Sequence, residues 1–348
     1  MLSKYNLYYI LFPFSFIYRT ITSIRNKLFD FGILKSKSYN VPIICVGNLA
    51  VGGTGKTPHS EYIIRLLKDR YRVALLSRGY KRKSKGFRIS TESCSFEELG
   101  DEPFLIASKF PDIIVAVDAN RQNGIEKLMS LPNPPEVIIL DDAYQHRYVK
   151  AGLNILLTDF NRPFFNDYVM PAGRLRESSA GKNRADMVLV TKSPQNISEK
   201  EKSYFKSKIK NNKIFFSSII NNNLISLNDN SKISLTKDTK VMLVTGIAQP
   251  LSLVKKIQQD ANLVEKLFFE DHHDFDSKDI KLISKTFNQI KNNNECIIVV
   301  TEKDAVKLKP LILEDKSLVN SIYFITLDLD FDKVEEFNQT ILDYVRNN

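Results

Sequence analysis

The sequence predicts an α/β fold: a P-loop doubly wound, mainly parallel sheet, then a short β-hairpin linker and a second, smaller α/β domain. Three observations carry this. From Pro42 to Lys192, short Ile- and Val-rich runs alternate with helical patterns. The first of those runs enters a glycine-rich loop from which a helix leaves. After a stretch of different composition, a second alternation begins at Val241. Buried parallel strands read as nearly continuous apolar runs and are joined by crossover helices, so the alternation specifies a parallel sheet covered on both faces.

The chain of 348 residues is long enough for two domains, each with its own core. With 43% hydrophobic and 26% charged residues it is globular, not disordered. Its 50 basic and 40 acidic residues leave a net charge of +10, which favours an anionic partner: nucleic acid, an anionic membrane or a phosphorylated substrate. The three cysteines, Cys45, Cys94 and Cys296, are far apart and odd in number. That argues against a disulfide framework and for a reducing compartment. No Cys or His spacing suggests a structural zinc site.

At the N-terminus, Leu7 to Tyr18 is apolar and aromatic, with Pro13 inside it. The stretch is too short to cross a bilayer, which takes about 20 helical residues. No small-residue cleavage site follows it; Arg19-Thr20 comes instead. Residues 1–40 carry Lys4, Arg19, Arg25, Lys27, Lys35 and Lys37 against Asp30 alone. Two readings stand: an interfacial anchor, or a helix packed on the protein's own core.

The first domain follows. Ile43–Val46, Val73–Leu76, Ile113–Val117, Val137–Leu140, Ile155–Leu157 and Met187–Val190 read as strands. Pro58–Lys68, Glu102–Phe110 and Asn120–Ser130 read as helices. Residues 194–240 are rich in Asn, Ser and Lys. There Lys213–Ile220 and Leu224–Leu227 flank Asn221-Asn222-Asn223 and read as a hairpin-like connector. The second pattern has strands Val241–Thr245, Ile297–Thr301 and Ile322–Ile325, with helices Pro250–Gln259, Ser277–Lys291 and Asp332–Val345. The expected boundaries are 1–35 for the N-terminal helix, 36–205 for the first domain, 206–240 for the linker and 241–348 for the second domain.

The chemistry starts at Gly47-Asn48-Leu49-Ala50-Val51-Gly52-Gly53-Thr54-Gly55-Lys56-Thr57. Gly55-Lys56-Thr57 fits the end of a G-x-x-x-x-G-K-[ST] phosphate loop, with Ala50 in place of its opening glycine. Ala50, Val51, Gly52, Gly53, Thr54, Gly55, Lys56 and Thr57 are therefore the expected nucleotide cradle. Glycines let backbone N–H groups wrap phosphates, and the helix N-terminus adds its dipole. Lys56 is expected at the β- and γ-phosphates and Thr57 on Mg²⁺. The strand Val137–Leu140 ends in Asp141-Asp142, the form of an acidic Mg²⁺-binding element, so both are expected metal ligands.

Ser77 to Arg88 holds six basic residues and no acid. Nucleic acid, an anionic lipid head group or a phosphosugar would each explain it; so would a solvated loop. The four histidines are His59 after the loop, His146 after the twin Asp, and His272-His273 between Asp271 and Asp274. Adjacent histidines flanked by Asp read as polar-site residues; neighbouring positions rarely aim at one ion, which ranks a metal site lower.

Together these motifs resemble one family, the tetraacyldisaccharide 4′-kinases of lipid A biosynthesis. The pieces run in order: Gly47-Asn48 with Val51–Pro58, Ser77-Arg78-Gly79-Tyr80, Gly100-Asp101-Glu102-Pro103, Asp118-Ala119-Asn120-Arg121, Asp141-Asp142-Ala143-Tyr144-Gln145-His146, Pro171-Ala172-Gly173-Arg174-Leu175-Arg176-Glu177, Asp271-His272-His273 and Thr301-Glu302-Lys303-Asp304. Ala143 and Tyr144 depart from the Gly-Phe expected after the twin Asp, without removing a charged or donor group.

The resemblance implies transfer of the ATP γ-phosphate to the 4′-hydroxyl of an acylated glucosamine disaccharide 1-phosphate, with ATP and Mg²⁺ as cofactors. It implies two α/β domains joined by a two-stranded linker, with the active site between them. It also implies attachment to the cytoplasmic face of the inner membrane, which favours the interfacial reading of residues 1–35. The partners expected are the lipid-sugar and the anionic inner-membrane surface, not nucleic acid, and the chain is expected to act as a monomer. Arg176, with Arg78 and Arg174, falls in the implied cleft, where an arginine fork can hold a transferring phosphate.

The resemblance also pairs Asp101 with His272. A sugar hydroxyl is a poor nucleophile, kinases use an Asp to accept its proton, and the twin Asp is committed to Mg²⁺. Asp101 is thus expected as general base and His272 as the partner that orients it, the pair forming when the cleft closes. The bland reading of Asp101 is a helix N-cap.

Two rivals are a membrane-associated P-loop ATPase switch of the partitioning type and a GTPase. The first resembles a deviant loop with Lys before the two glycines, where Val51 stands here. The second rests on Thr191-Lys192 and Thr301–Asp304, which lack the Asn of N-K-x-D.

Overall fold

The computed structural model describes residues 4–348 except 92–93, 212, 221–223, 248–249, 272, 292–295 and 313–315. It divides into two compact units, Met1–Ile220 with Leu329–Asn348, and Asn221–Asp328.

The first unit opens with helix α1 (Lys4–Asp30), then alternates β1 (Ile43–Asn48), α2 (Lys56–Leu67), β2 (Val73–Ser77), β3 (Arg88–Ile89), α3 (Phe96–Leu99), α4 (Asp101–Lys109), β4 (Ile114–Val117), α5 (Arg121–Met129), β5 (Val137–Asp141), β6 (Leu153–Asp159), β7 (Met187–Thr191), α6 (Glu199–Ile209) and β8 (Ile214–Ile220). The second unit holds β9 (Leu224–Ser226), β10 (Lys232–Ile233), β11 (Lys240–Thr245), α7 (Pro250–Asp260), β12 (Asn262–Phe268), α8 (Ser277–Ile290), β13 (Cys296–Thr301), α9 (Glu302–Ile312), α10 (Lys316–Val319) and β14 (Ile322–Ile325). The chain then returns through β15 (Asp328–Phe331) and α11 (Val334–Arg346).

The first sheet has nine strands in the order β15-β8-β7-β6-β1-β5-β2-β4-β3. Its centre is β1, parallel to β5 on one side and β6 on the other. Alternate residues of β1 point to opposite faces, as the strand period requires. Ile43 and Cys45 join one apolar layer with Leu76, Leu140 and Leu156; Ile44 and Val46 join the other with Leu75, Ile139 and Leu157. Burial on both faces is why these strands are continuous apolar runs. The second unit is a six-stranded sheet, β10-β9-β14-β13-β11-β12, in which β11, β12, β13 and β14 are parallel and β9 runs antiparallel to β14.

The expected boundaries differ from those observed at two places. Lys213–Ile220 and Leu224–Leu227 do not form a hairpin: β8 is parallel to β7 in the first sheet, whereas β9 pairs with β10 and β14 in the second. The Asn221-Asn222-Asn223 of the connector lies outside the described residues. The final helix, assigned by sequence order to the second domain, belongs to the first unit. Its Phe337, Ile341 and Val345 enter the layer of Ile44 and Val46, and the Tyr344 hydroxyl donates to the Ile43 carbonyl (3.1 Å) and accepts from the Ile43 N–H (3.0 Å). The apolar stripe of α11 specifies a helix but not which sheet it covers. The two neighbouring strands β8 and β15 carry the chain out and back.

Helix α1 buries Ser15 and Phe29, while Phe14, Ile17, Ile21 and Ile24 along another side are 55–60% exposed. The inner face is held by polar contacts. The Arg25 guanidinium donates twice to the Gln145 carbonyl (3.2 Å each), Asn26 Nδ2 to Glu177 Oε2 (2.6 Å), and Arg147 to the Asn26 carbonyl (2.8 Å) and Asp30 (2.6 Å). The Ser15 hydroxyl accepts from the Ala172 N–H (2.8 Å). No helix among the described residues is long and apolar enough to cross a membrane.

Candidate active site

The loop between β1 and α2 is shaped by its glycines. Gly52 (φ 104°) and Gly55 (φ 85°) adopt left-handed angles that disfavour side chains, and Gly55 is the N-cap of α2. A Cβ on Gly53 would meet no atom within 4 Å, so the space beside it is open. The loop is bound along one edge to the Arg174–Arg176 segment: the Val51 N–H donates to the Arg174 carbonyl (2.8 Å) and the Arg176 N–H to the Leu49 carbonyl (2.7 Å). Thus Pro171–Glu177, which the sequence offers only as a separate motif, is the strand-like border of the phosphate loop.

Parallel pairing of β1 with β5 sets Val46 beside Asp141, and the Asp142 N–H donates to the Val46 carbonyl (3.0 Å). The twin carboxylates therefore stand next to the start of the loop. Asp141 is buried and accepts from the Ser60 hydroxyl of α2 (3.2 Å). Asp142 takes a left-handed backbone (φ 48°) and meets the Arg176 guanidinium at two points, Nη1–Oδ1 2.7 Å and Nη2–Oδ2 3.0 Å. Lys56 Nζ lies 3.8 Å from Asp142 Oδ1. Lys56, Asp142 and Arg176, chosen from separate motifs, are thus brought together.

The two acids are driven apart in acidity. Burial, reinforced by the negative charge of Asp142, pushes Asp141 up to about 6. Burial also opposes ionisation of Asp142, but Lys56 and Arg176 outweigh it and hold that carboxyl below its usual range. Such a pair of hard oxygen donors, with the Thr57 hydroxyl on the first turn of α2, fits magnesium shared with a nucleotide, which needs only one or two carboxylates. Among the described residues no cluster of three or more His, Cys, Asp or Glu is suited to hold a metal unaided.

Three buried polar atoms lack a hydrogen-bond partner among the described residues, Asn48 Oδ1, Arg121 Nε and His146 Nε2. Asn48 ends β1, Arg121 begins α5 and His146 lies in the turn after the twin Asp, and such atoms call for a ligand or water. Arg121 starts α5 and donates to the carbonyls of Asp118 (2.8 Å) and Ala119 (3.3 Å). Its burial pulls the guanidinium down to about 10, against the attraction of Asp141 and Asp142. His146 is driven down to about 4 by burial and then by Arg121, Arg25 and Arg78. Arg121 and Asn48 were legible only as letters of motifs, since nothing in local spacing reports that a charge will be buried.

The remaining expected residues fall as follows. Asp101 is the first residue of α4, and the N-cap position is Gly100 (φ 88°), so the cap reading of Asp101 does not hold. His272 lies outside the described residues. Its neighbour His273 pairs with Asp279 (2.8 Å), and the buried Lys307 donates to the His273 carbonyl (3.1 Å) and Asp274 (3.0 Å). The Asp304 carboxylate, deep in the same unit, accepts from Thr245, Gly246 and Thr301, which explains the Thr301–Asp304 motif as an internal brace. Arg174 pairs with Asp167 (3.2 Å). In the basic run, Arg82 donates to the carbonyls of Gly86 (2.7 Å) and Val117 (3.4 Å), and Lys83 pairs with Glu97, so part of that charge is used to fold its own loop. Tyr144, where Phe is expected, is buried, and its extra hydroxyl donates to the Gly181 carbonyl (2.8 Å).

The fold and this site define a phosphate-loop nucleotide-binding protein with an acidic pair beside the loop lysine. A family model described as tetraacyldisaccharide-1-P 4′-kinase matches residues 7–346. The tetraacyldisaccharide 4′-kinase of Bacteroides fragilis is 46% identical over 351 residues, covering 97% of this chain and 93% of the relative. That of Flavobacterium johnsoniae is 47% identical over 345 residues, covering 97% of each. The crystal structure of LpxK from Aquifex aeolicus in complex with ATP superimposes with a TM-score of 0.78 at 32% identity, over 97% of this chain and 99% of that one. The chain belongs to the tetraacyldisaccharide-1-P 4′-kinase family. That membership, over nearly the whole length, selects the kinase over the partitioning-type switch and the GTPase.

Proposed function

We propose that the protein transfers the γ-phosphate of ATP to the 4′-hydroxyl of an acylated glucosamine disaccharide 1-phosphate, giving the 4′-phosphorylated lipid A precursor. The observation that carries this reading is the meeting of Lys56, Asp142 and Arg176 at the phosphate loop of a chain with this family membership.

In this reading the backbone of Ala50–Thr57 cradles the phosphates and Lys56 neutralises charge on the γ-phosphoryl. Thr57, Asp141 and Asp142 would hold magnesium, which would supply positive charge to offset that of the nucleotide phosphates. Arg176, released from Asp142, turns its fork to the transferring group. Asp101 accepts the proton of the sugar hydroxyl, and His272 orients it.

The same proposal seats the protein on the anionic cytoplasmic face of the inner membrane, as a monomer. What supports it is α1, whose inner side is held by Arg25 and Asn26 while Phe14, Ile17, Ile21 and Ile24 remain outside. An amphipathic helix of this kind lies in the interface plane, with basic flanks near anionic head groups.

The test is incubation with γ-labelled ATP and a tetraacyldisaccharide 1-phosphate, followed by location of the label. Label on the 4′-oxygen is expected. ATP consumption without labelled lipid would overturn the acceptor assignment.

A further inference from the structure

Three consecutive carbonyls of the phosphate loop are each gripped by a side chain from outside the loop. Lys192 Nζ donates to the Gly53 carbonyl (2.6 Å), the Thr191 hydroxyl to the Thr54 carbonyl (2.9 Å), and His59 Nδ1 contacts the Gly55 carbonyl at 2.6 Å. Two of these donors come from the end of β7 and one from the first turns of α2.

Each gripping side chain is itself fixed. Lys192 takes a left-handed backbone (φ 56°), unusual for a side-chain-bearing residue, and pairs with Asp159 at the end of β6 (2.9 Å). Thr191 is fully buried. His59 is buried, and its Nε2 meets the Ser217 hydroxyl of β8 (2.8 Å). A carbonyl at Nδ1 makes that nitrogen the donor, and with the ring neutral Nε2 accepts from the Ser217 hydroxyl. Burial, opposed by the Gly55 bond, holds its pKa down at about 4, in agreement with that tautomer.

The consequence follows from the planarity of the peptide. In a trans unit the C=O and the next residue's N–H point in opposite directions. Holding the carbonyls of Thr54 and Gly55 on one side therefore aims the N–H groups of Gly55 and Lys56 to the other. The third peptide is closed by the Thr54 N–H, which donates to the Gly52 carbonyl (2.9 Å). The first-turn N–H groups of α2 have no intrahelical partner of their own. A loop with Gly52, Gly53 and Gly55 would otherwise sample many shapes.

We propose that Lys192, Thr191 and His59 are positioning residues that hold the phosphate loop in its nucleotide-binding form before ATP arrives. They touch no reacting atom. They act by removing the ordering cost that a free glycine loop would meet on binding. The inference rests on the nucleotide reading of the loop and deepens it.

The test is calorimetric titration of the full chain with Mg·ATP, which needs no acceptor, together with steady-state kinetics. Lys192→Met, Thr191→Val and His59→Leu are each expected to weaken ATP binding about tenfold. KM for ATP rises in proportion, and kcat and KM for the lipid acceptor stay within about threefold. Lys192→Arg, Thr191→Ser and His59→Asn keep a donor and restore most of the affinity. Variants that bind ATP as the wild type does, or that lower the unfolding temperature without weakening binding by the folded protein, overturn the proposal. So does a loss that the donor-keeping variants do not restore. A wild type that does not bind ATP overturns the nucleotide reading itself.

Discussion

Arg176 and Asp142 form a two-point ion pair, with Nη1–Oδ1 at 2.7 Å and Nη2–Oδ2 at 3.0 Å, between residues 34 apart in sequence. Both members are half-buried, and Gln145 Oε1 also accepts from the guanidinium (3.3 Å). In the proposed mechanism each has a second partner, magnesium for the acid and phosphate for the base. Arg176→Lys keeps the charge and loses the fork, so kcat/KM is expected to fall about tenfold or more. Unchanged kinetics would reduce the pair to a surface contact of little consequence.

Lys56→Ala removes the cation of the phosphate loop, 3.8 Å from Asp142. Turnover is expected to drop about 10²–10³-fold, with the fold intact by circular dichroism. A mutant with wild-type kcat would dismiss Lys56 from the chemistry.

Asp101→Ala and His272→Ala are each expected to lower kcat about 10²-fold or more, with little change in ATP affinity. In the proposed mechanism the two act as a unit, so the double variant should lose far less than the product of the single losses. Fully multiplicative losses would show independent roles. A lower unfolding temperature without a kcat defect would make Asp101 structural only.

The outward residues Ile17 and Ile21 of α1 are 56% and 60% exposed. Replacing both by Glu should cut co-sedimentation with anionic vesicles about tenfold or more. Phosphorylation of a detergent-dispersed acceptor should stay within about threefold. Undiminished partitioning would put the membrane contact elsewhere on the molecule.

His59 also makes a pH prediction. Its folded pKa of about 4 lies below its ordinary 6.5. Below pH 6.5 the unfolded chain binds a proton that the folded protein refuses. The neutral ring's contribution to stability is therefore full above about 6.5 and is lost as pH falls toward about 4. His59→Asn lacks this titration. Its stability deficit against the wild type, measured by urea unfolding, should shrink by about 2 kcal/mol between pH 7.5 and 5.0. Asp141, raised to about 6, titrates with the opposite sign but is common to both proteins and cancels in the difference. An identical gap at both pH values would mean that His59 is protonated in the fold.

What the sequence by itself determined is what short-range pattern encodes. The Ile/Val runs of β1, β2, β5 and β7, the helices between them, the glycine loop ending in Lys56-Thr57 and the acids at the end of β5 are all written within a few residues. Strand periodicity, glycine backbone freedom and helix initiation are local properties, so they are legible locally. Order of motifs along the chain was enough for the family.

Tertiary structure decided which distant groups meet. The same pattern that announces α11 is silent on its destination, and only packing returns Phe337 and Tyr344 to β1 after a whole inserted unit. Lys192 reaches Gly53 across 139 residues, and Ser217 reaches His59 across 158. The hairpin expected around residues 213–227 fails for the same reason: β8 finds a buried place beside β7 and β9 one beside β14, and pairing with an available sheet edge outweighs proximity in sequence. The burial that holds Arg121, His146 and Asp141 away from their ordinary pKa values is likewise a property of the assembled layers, because desolvation depends on everything that surrounds a group and not on its neighbours in the chain.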